Sequence, residues 1–138
     1  MTTTTTTTTP ARQQFAKQQY FNLETFRKSG AGIKTPVWFA EDPDTGVYYV
    51  MTIKTAGKAK RIRNNPQVNI APCKADGTPL GDWFPATARE LTDPAATHRA
   101  NATLSRKYGL MKTMFMTMGR LRGSQYTFLE VTLASSEG

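Results

Sequence analysis

"YYVMTIKTAGKAKRIRNNPQVNIAPC", residues Tyr48 to Cys73, decides how this chain is read. The alternation around its start puts Val47, Tyr49, Met51 and Ile53 on one face of a strand. Tyr48, Val50, Thr52 and Lys54 take the other face. Lys54, Lys58, Lys60, Arg61 and Arg63 then crowd together with no acid among them. Gly57 to Asn64 reads as a short helix that stops at Asn65-Pro66, because proline pushes the residue before it out of the helical region. On that helix Lys58 and Arg61 share a face by i, i+3 spacing, while Ala59 and Ile62 share another and pack inward. Gln67 to Cys73 returns as a strand. Such a strand-to-helix junction gathers cations, the Thr52 hydroxyl and the free N–H groups of a first helical turn, which suits an anion. The bland alternative is a solvated basic face without a ligand.

Upstream, Thr2 to Thr9 has nothing to bury, so residues 1–9 read as a disordered tail and residues 10–135 as a single domain. Pro10 suits the first turn of a short helix over Arg12 to Phe21. Leu23 to Lys28 reads as a strand, "SGAG" as a turn, and Ile33 to Ala40 as a second strand. Pro36 forbids one ladder bond there, which argues for an edge, a bulge or backbone facing a ligand. In "EDPDTG" (Glu41 to Gly46), Glu41, Asp42 and Asp44 read as turn and loop residues. Downstream, "KADGTPLGD" is a turn and Trp83 to Thr92 a strand. Asp93 caps a helical region opened by Pro94, interrupted near Gly109 and running to about Thr117. Gln125 to Ala134 closes the chain as an alternating strand. Strands in succession, with helices inserted rather than alternating, predict a mainly β (α+β) fold built as a small antiparallel barrel.

The bulk numbers fit that picture. The 138 residues suit one domain, and 38% hydrophobic content suits a globular core. No apolar run approaches a membrane span, and the N-terminus lacks the pattern of a secretory signal, so the expected compartment is cytoplasmic, with no membrane partner. The net charge of +8 calls for an anionic partner. The stretches from Thr45 to Ala75 and from Pro94 to Leu129 are both basic and free of acids, so the charge belongs to the folded body. Between Lys54 and Lys74 there is no aromatic residue on which a base could stack, and no zinc-finger, helix-turn-helix or RNA-recognition signature is present. Nucleic acid is therefore not the expected partner.

Built-in catalytic chemistry is poorly supported. His98 is the one histidine and lies in a polar stretch; Cys73, the one cysteine, lies in an apolar strand where an inert thiol is usual. No Cys-based metal site is possible, and no nucleotide loop or triad motif appears. An enzyme built from these residues borrows its reactive group from a cofactor. Met111, Met114 and Met118, with Leu110 and Phe115 alongside, form a stripe that reads as core or subunit interface. Trp38, Trp83 and Phe84 are candidates for a pocket wall or for the core.

"ETFRKSGAGIKTPVWFAEDPDTGVYYVMTIKTAGKAKRIRNNPQVNIAPC" resembles the split-barrel flavin- and deazaflavin-binding proteins related to pyridoxamine 5′-phosphate oxidase. "TPVWFA", "TAGKAKRIRNNPQVNIAPC" and "ATAREL" are similar to the branch that uses the deazaflavin coenzyme F420. The resemblance covers roughly Tyr20 to Leu133 and is most specific from Thr52 to Cys73. It implies a six-stranded antiparallel split β-barrel of the FMN-binding type, with short flanking helices, working as a homodimer with cofactor at the subunit interface. It implies a phosphate held by Thr52, Lys54, Lys58 and Arg61, and a ring laid along Thr35, Pro36, Val37 and Trp38 with Met51 nearby. The implied activity is hydride transfer between the cofactor and a small-molecule acceptor. The FMN-using oxidases carry Ser-Arg-Lys where this chain has Ala56-Gly57-Lys58, and an Arg-rich C-terminal segment where it has "FLEVTLASSEG". Those departures point away from pyridoxamine phosphate oxidation and towards F420, whose acidic tail would suit Lys60 and Arg63, with FMN as the alternative. Some relatives bind haem-type ligands, which keeps a non-enzymatic tetrapyrrole-binding role open.

Overall fold

The computed structural model describes residues 13–121, 123 and 125–134. The expected tail over residues 1–9 and the Pro10 helix start lie outside the described residues. The strands are β1 (Tyr20–Phe26), β2 (Gly32–Trp38), β3 (Ala40–Glu41), β4 (Tyr48–Ile53), β5 (Gln67–Cys73), β6 (Phe84–Glu90) and β7 (Tyr126–Leu133). The helices are α1 (Gly57–Asn64), between β4 and β5, and α2 (Pro94–Tyr108) and α3 (Leu110–Leu121), between β6 and β7. All strands join one antiparallel sheet in the order β2-β1-β5-β6-β7-β4-β3.

Seven strands stand where the resemblance implied six. The extra one arises because the stretch read as a single strand over Ile33 to Ala40 breaks at Phe39. Trp38 pairs with Tyr20 of β1, whereas Ala40 pairs with Tyr49 of β4. Since β2 and β3 are the two edges of the sheet, the single residue Phe39 carries the chain from one edge to the other and curls the sheet into a half-barrel. Its amide, outside any ladder, donates to the Tyr108 hydroxyl at 2.9 Å, and its carbonyl accepts from Lys107 Nζ at 2.8 Å. Side chains from the end of α2 thus replace the ladder bonds that the corner gives up.

A second correction concerns the N-terminal helix. Among the described residues the helix covers 13–15, and Lys17 takes a left-handed φ of 66° that ends the turn. Tyr20 and Phe21 belong to β1, because Phe21 and Leu23 are needed inside the barrel, where both are fully buried. Pro36 lies on the edge strand β2, opposite Asn22, a place where a sheet tolerates a residue without an N–H. The helical region from Pro94 extends to Leu121, broken at Gly109 with φ 55°. Asp93 caps it as expected, accepting from the Ala96 amide at 2.9 Å.

The alternation of β4 divides the core. Tyr48 and Val50 point into the barrel with Phe15, Phe21, Phe39, Ile70 and Leu129; the Phe21 and Phe39 rings stack at 4.4 Å. Tyr49 points the other way, with Val47 and Met51 beside it, into a second cluster formed with Ala100, Leu104 and Tyr108 of α2. On α1, Ala59 and Ile62 are the buried pair. Asp42 is more than a loop residue: it is buried, accepts from Arg99 Nε at 2.6 Å and Nη2 at 3.1 Å, and takes the Tyr49 hydroxyl at 3.0 Å. That network ties the β3–β4 hairpin to α2. Among the described residues no helix is long and apolar enough to cross a membrane.

Candidate functional site

Closing a sheet through one residue leaves a seam. Beyond Phe39, β2 pairs only with β1, and β3 covers β4 only at Tyr48 and Tyr49. The rest of β2 and β4 face each other without ladder bonds, and a cavity of about 310 Å³ opens between them. Pro36, Val37 and Trp38 of β2 form one wall; Met51, Thr52 and Ile53 of β4 form the other. Tyr20 lines it from β1, and Ala56 and Lys58 close the end where α1 begins.

The α1 end favours an anion for three separate reasons. Ala56 stands at the N-cap with no side chain to satisfy the first-turn N–H groups, which carry the positive end of the helix dipole. Lys58 is desolvated, and burial first, then Arg61, pushes its ammonium below the ordinary lysine range. Arg61 is itself pushed down by burial and then by Arg27. Among the described residues the ion pairs are Arg63–Glu90, Arg89–Glu130 and Arg99 with Asp42 and Asp44. Among the described residues neither Lys58 nor Arg61 is paired with a carboxylate, and a nearby cation adds to burial in lowering the proton affinity of each.

The wall is rigid on its aromatic side. Trp38 stacks on Tyr108 at 4.9 Å with 13° between the rings. The Tyr108 hydroxyl, besides accepting from the Phe39 amide, lies 2.7 Å from the Gln19 carbonyl. Trp83 is no part of the wall: it is exposed, with Lys34 Nζ 5.1 Å over its ring. Phe84 packs against the barrel core.

Of the residues singled out from the sequence, Pro36, Val37, Trp38, Met51, Thr52 and Lys58 meet around this cavity. Thr35, Lys54 and Arg61 are outside its lining. Thr35 is held opposite Leu23 in the β1–β2 ladder. Lys54 lines a separate cleft of about 300 Å³ with Glu90 and Thr127. Arg61 folds back over the start of its own helix, so that a Cβ on Gly57 would lie 2.7 Å from its Nη1, and its Nε donates to Thr25 Oγ1 at 2.6 Å. Arg63, matched to an acidic tail by the resemblance, is engaged by Glu90 at 2.7 and 2.9 Å and by the Lys54 carbonyl at 2.9 Å. Tyr20, Ile53 and Ala56 line the cavity without having been singled out. The pairing Tyr20↔Trp38 explains the first, and it is visible only once the strand register is known. His98 is exposed beside a shallow cleft elsewhere, and burial pushes the Cys73 thiol up to about 11, an unreactive value.

No family model matches the sequence, and no curated protein matches it. Solved structures do. The heme storage protein HutZ of Vibrio cholerae is 15% identical, with a TM-score of 0.66 over 94% of this chain and 89% of that one. A Clostridium acetobutylicum protein related to general stress protein 26, of the pyridoxinephosphate oxidase family, is 13% identical, with a TM-score of 0.64 over 91% and 82%. An FAD-binding protein of Mesorhizobium loti is 12% identical, with a TM-score of 0.57 over 93% and 88%. At such identities the likeness speaks to architecture, and with the sheet order above it shows that this chain has a split-barrel fold of the kind found in pyridoxamine phosphate oxidase-like proteins.

Proposed function

We propose that the protein binds a phosphorylated flavin-type cofactor in the seam between β2 and β4, with F420 first and FMN as the alternative. In this reading it serves as an oxidoreductase acting on a small-molecule acceptor. The observation that carries it is the uncompensated Lys58 at the uncapped start of α1, at the mouth of an otherwise apolar slot. The slot's volume is at the low end of ligand pockets, and a slot between two strands with a cation at one end suits a planar ring that carries a phosphate. When bound, the ring would supply the hydride chemistry, which none of the lining side chains could provide.

The chain's part is binding and exclusion of water. Lys58 and the first-turn amides of α1 hold the phosphate, with the Thr52 hydroxyl beside them. Arg61, one turn on, and Arg27 beyond it extend the positive field outward for a further acidic group. Trp38, braced by Tyr108, and Val37 and Met51 keep the ring's surroundings dry. A bound dianion would restore the proton affinity of Lys58, so affinity falls as pH rises through the Lys58 pKa.

A tetrapyrrole carrier is the second reading, supported by the likeness to a heme storage protein. Against it, no imidazole or thiolate lines the cavity. Fluorescence titration with F420 and with FMN, and absorbance titration with heme, decide among the three. Saturable binding of F420 or FMN supports the proposal; binding of heme alone overturns it.

A further inference from the structure

Helix α3 is held by one side and shows the other to solvent. On the held side Lys112 is buried and Gly119 lies against Tyr126. On the other, Leu110 and Leu121 are 80% and 83% exposed, and Met111, Met114 and Met118 are each more than half exposed. Isolated apolar side chains on a surface are ordinary, but five on one short helix are not. At about 100° per residue the five fall in one arc of about 100°, the width a helix usually turns to a core. Thr113, Thr117 and Arg120 recur at intervals of four and three, so a polar row ending in a cation runs along one edge of the arc. Arg122 follows Leu121 in the chain. Arg106 is exposed on the last turn of α2, with no ion pair among the described residues. From Pro94 to Leu129 there is no acid at all.

We propose that α3 docks the protein on an anionic lipid surface, lying in the plane of the interface. The apolar arc enters the acyl boundary, and Arg106, Arg120 and Arg122 supply the charge that anionic headgroups attract. The Thr117 hydroxyl is already spent on the Thr113 carbonyl, so it brings no unmet donor to that boundary. The lack of a spanning helix among the described residues speaks against crossing a membrane, not against lying on one. Other covers fit less well. Residues 1–12 and 135–138 hold no large apolar side chain besides Met1, so the chain's own ends have nothing to lay on the arc. No described side chain of α3 lines the seam cavity, so subunits gathered round a cofactor there call for no contact along the arc. The docking stands apart from the cofactor reading and is tested without any cofactor.

The test is flotation of the full chain with phosphatidylcholine vesicles that contain about one-third phosphatidylglycerol. Binding is expected at millimolar lipid, at least about tenfold tighter than to phosphatidylcholine alone, and weakening as salt is raised. Met114→Ser with Met118→Ser in one chain should weaken it at least about tenfold, and Arg120→Gln with Arg122→Gln about as much. Lys28→Gln with Lys74→Gln, two exposed lysines outside α2 and α3, should change it by less than about threefold. Far-UV circular dichroism confirms that each variant folds. A chain with Met118→Cys, carrying a nitrobenzoxadiazole label there, should shift its emission to the blue on those vesicles; Cys73, 2% exposed, stays unlabelled. No flotation at about 5 mM lipid overturns the proposal. So does binding unmoved by the serine pair, or an equal loss in the lysine and arginine pairs, which would mean diffuse charge. A dimer that the serine pair dissociates, in a chain that does not float, would overturn it in favour of a second copy.

Discussion

Trp38 and Tyr108 lie face to face, 4.9 Å apart, one on the wall of the seam cavity and the other at the last residue of a helix seventy positions later. The Tyr108 ring holds the wall and its hydroxyl holds the Phe39 corner. The two jobs separate by substitution. Tyr108→Phe keeps the stack and should cost about 1–2 kcal/mol in denaturant unfolding while leaving cofactor affinity nearly unchanged. Tyr108→Leu loses both, and its cofactor dissociation constant should rise about tenfold beyond that of the Phe variant. Equal binding by the two would show that the stack has no part in the wall.

Lys58→Ala should weaken binding of the phosphorylated cofactor by about 2 kcal/mol, or about 30-fold, because a desolvated charge loses its partner. Lys60→Ala, on the exposed side of the same helix, should change binding of FMN, which has no acidic tail to reach it, by less than about twofold. Lys107 is no control, since its ammonium ties the Gln18 and Phe39 carbonyls together. Calorimetry on the two α1 variants decides; equal losses would mean diffuse charge and no socket.

Acid should unfold the protein through two carboxylates. The Arg99 guanidinium holds Asp42 well below the usual range, with the Asp44 amide and Tyr49 hydroxyl assisting. Arg63, and less so Thr127, holds Glu90 down to about 2 from 4.5. Both are lower in the folded state, so the unfolded chain binds more protons and stability rises with pH. Their contribution is complete above about pH 4.5 and is lost as pH falls towards 2. Asp42→Asn should cost about 2 kcal/mol at neutral pH and flatten that acid limb; Glu90→Gln, whose partner Arg63 is more than a third exposed, should cost about 1 kcal/mol. Unfolding curves at pH 7 and pH 3 check both.

Gly119→Ala reverses the usual helix rule. Alanine is ordinarily the better helix former by about 1 kcal/mol. Here its Cβ would fall 1.5 Å from the Tyr126 hydroxyl, so either that ring or α3 must give way. The melting temperature should drop by several degrees, a loss of about 1–3 kcal/mol. A rise would show that the Tyr126 ring swings aside at little cost.

The sequence was most legible where a period met a breaker. The alternation of β4, the α1 face, the Asp93 cap and the Gly109 break were all readable, because each rests on residues close together in the chain. Lys58, Thr52 and the Pro36–Trp38 wall followed from that reading and from the resemblance. What escaped was set by distant partners. Nothing local marks Phe39 as a corner, since its amide is satisfied by Tyr108, and nothing local separates Lys54 from Lys58. Asp42 looked like a loop residue because Arg99, which pairs with it, lies 57 positions away.

The Phe39 corner also bears on the order in which the molecule assembles. Its amide and carbonyl are satisfied by Tyr108 and Lys107, residues made 68 or more positions later. A chain folded only as far as β6 would hold a bent strand with two orphaned backbone groups, a cost of about 1–3 kcal/mol for each that is buried. The curl of the sheet, and with it the seam cavity, therefore depends on α2, through contacts closed across most of the chain's length.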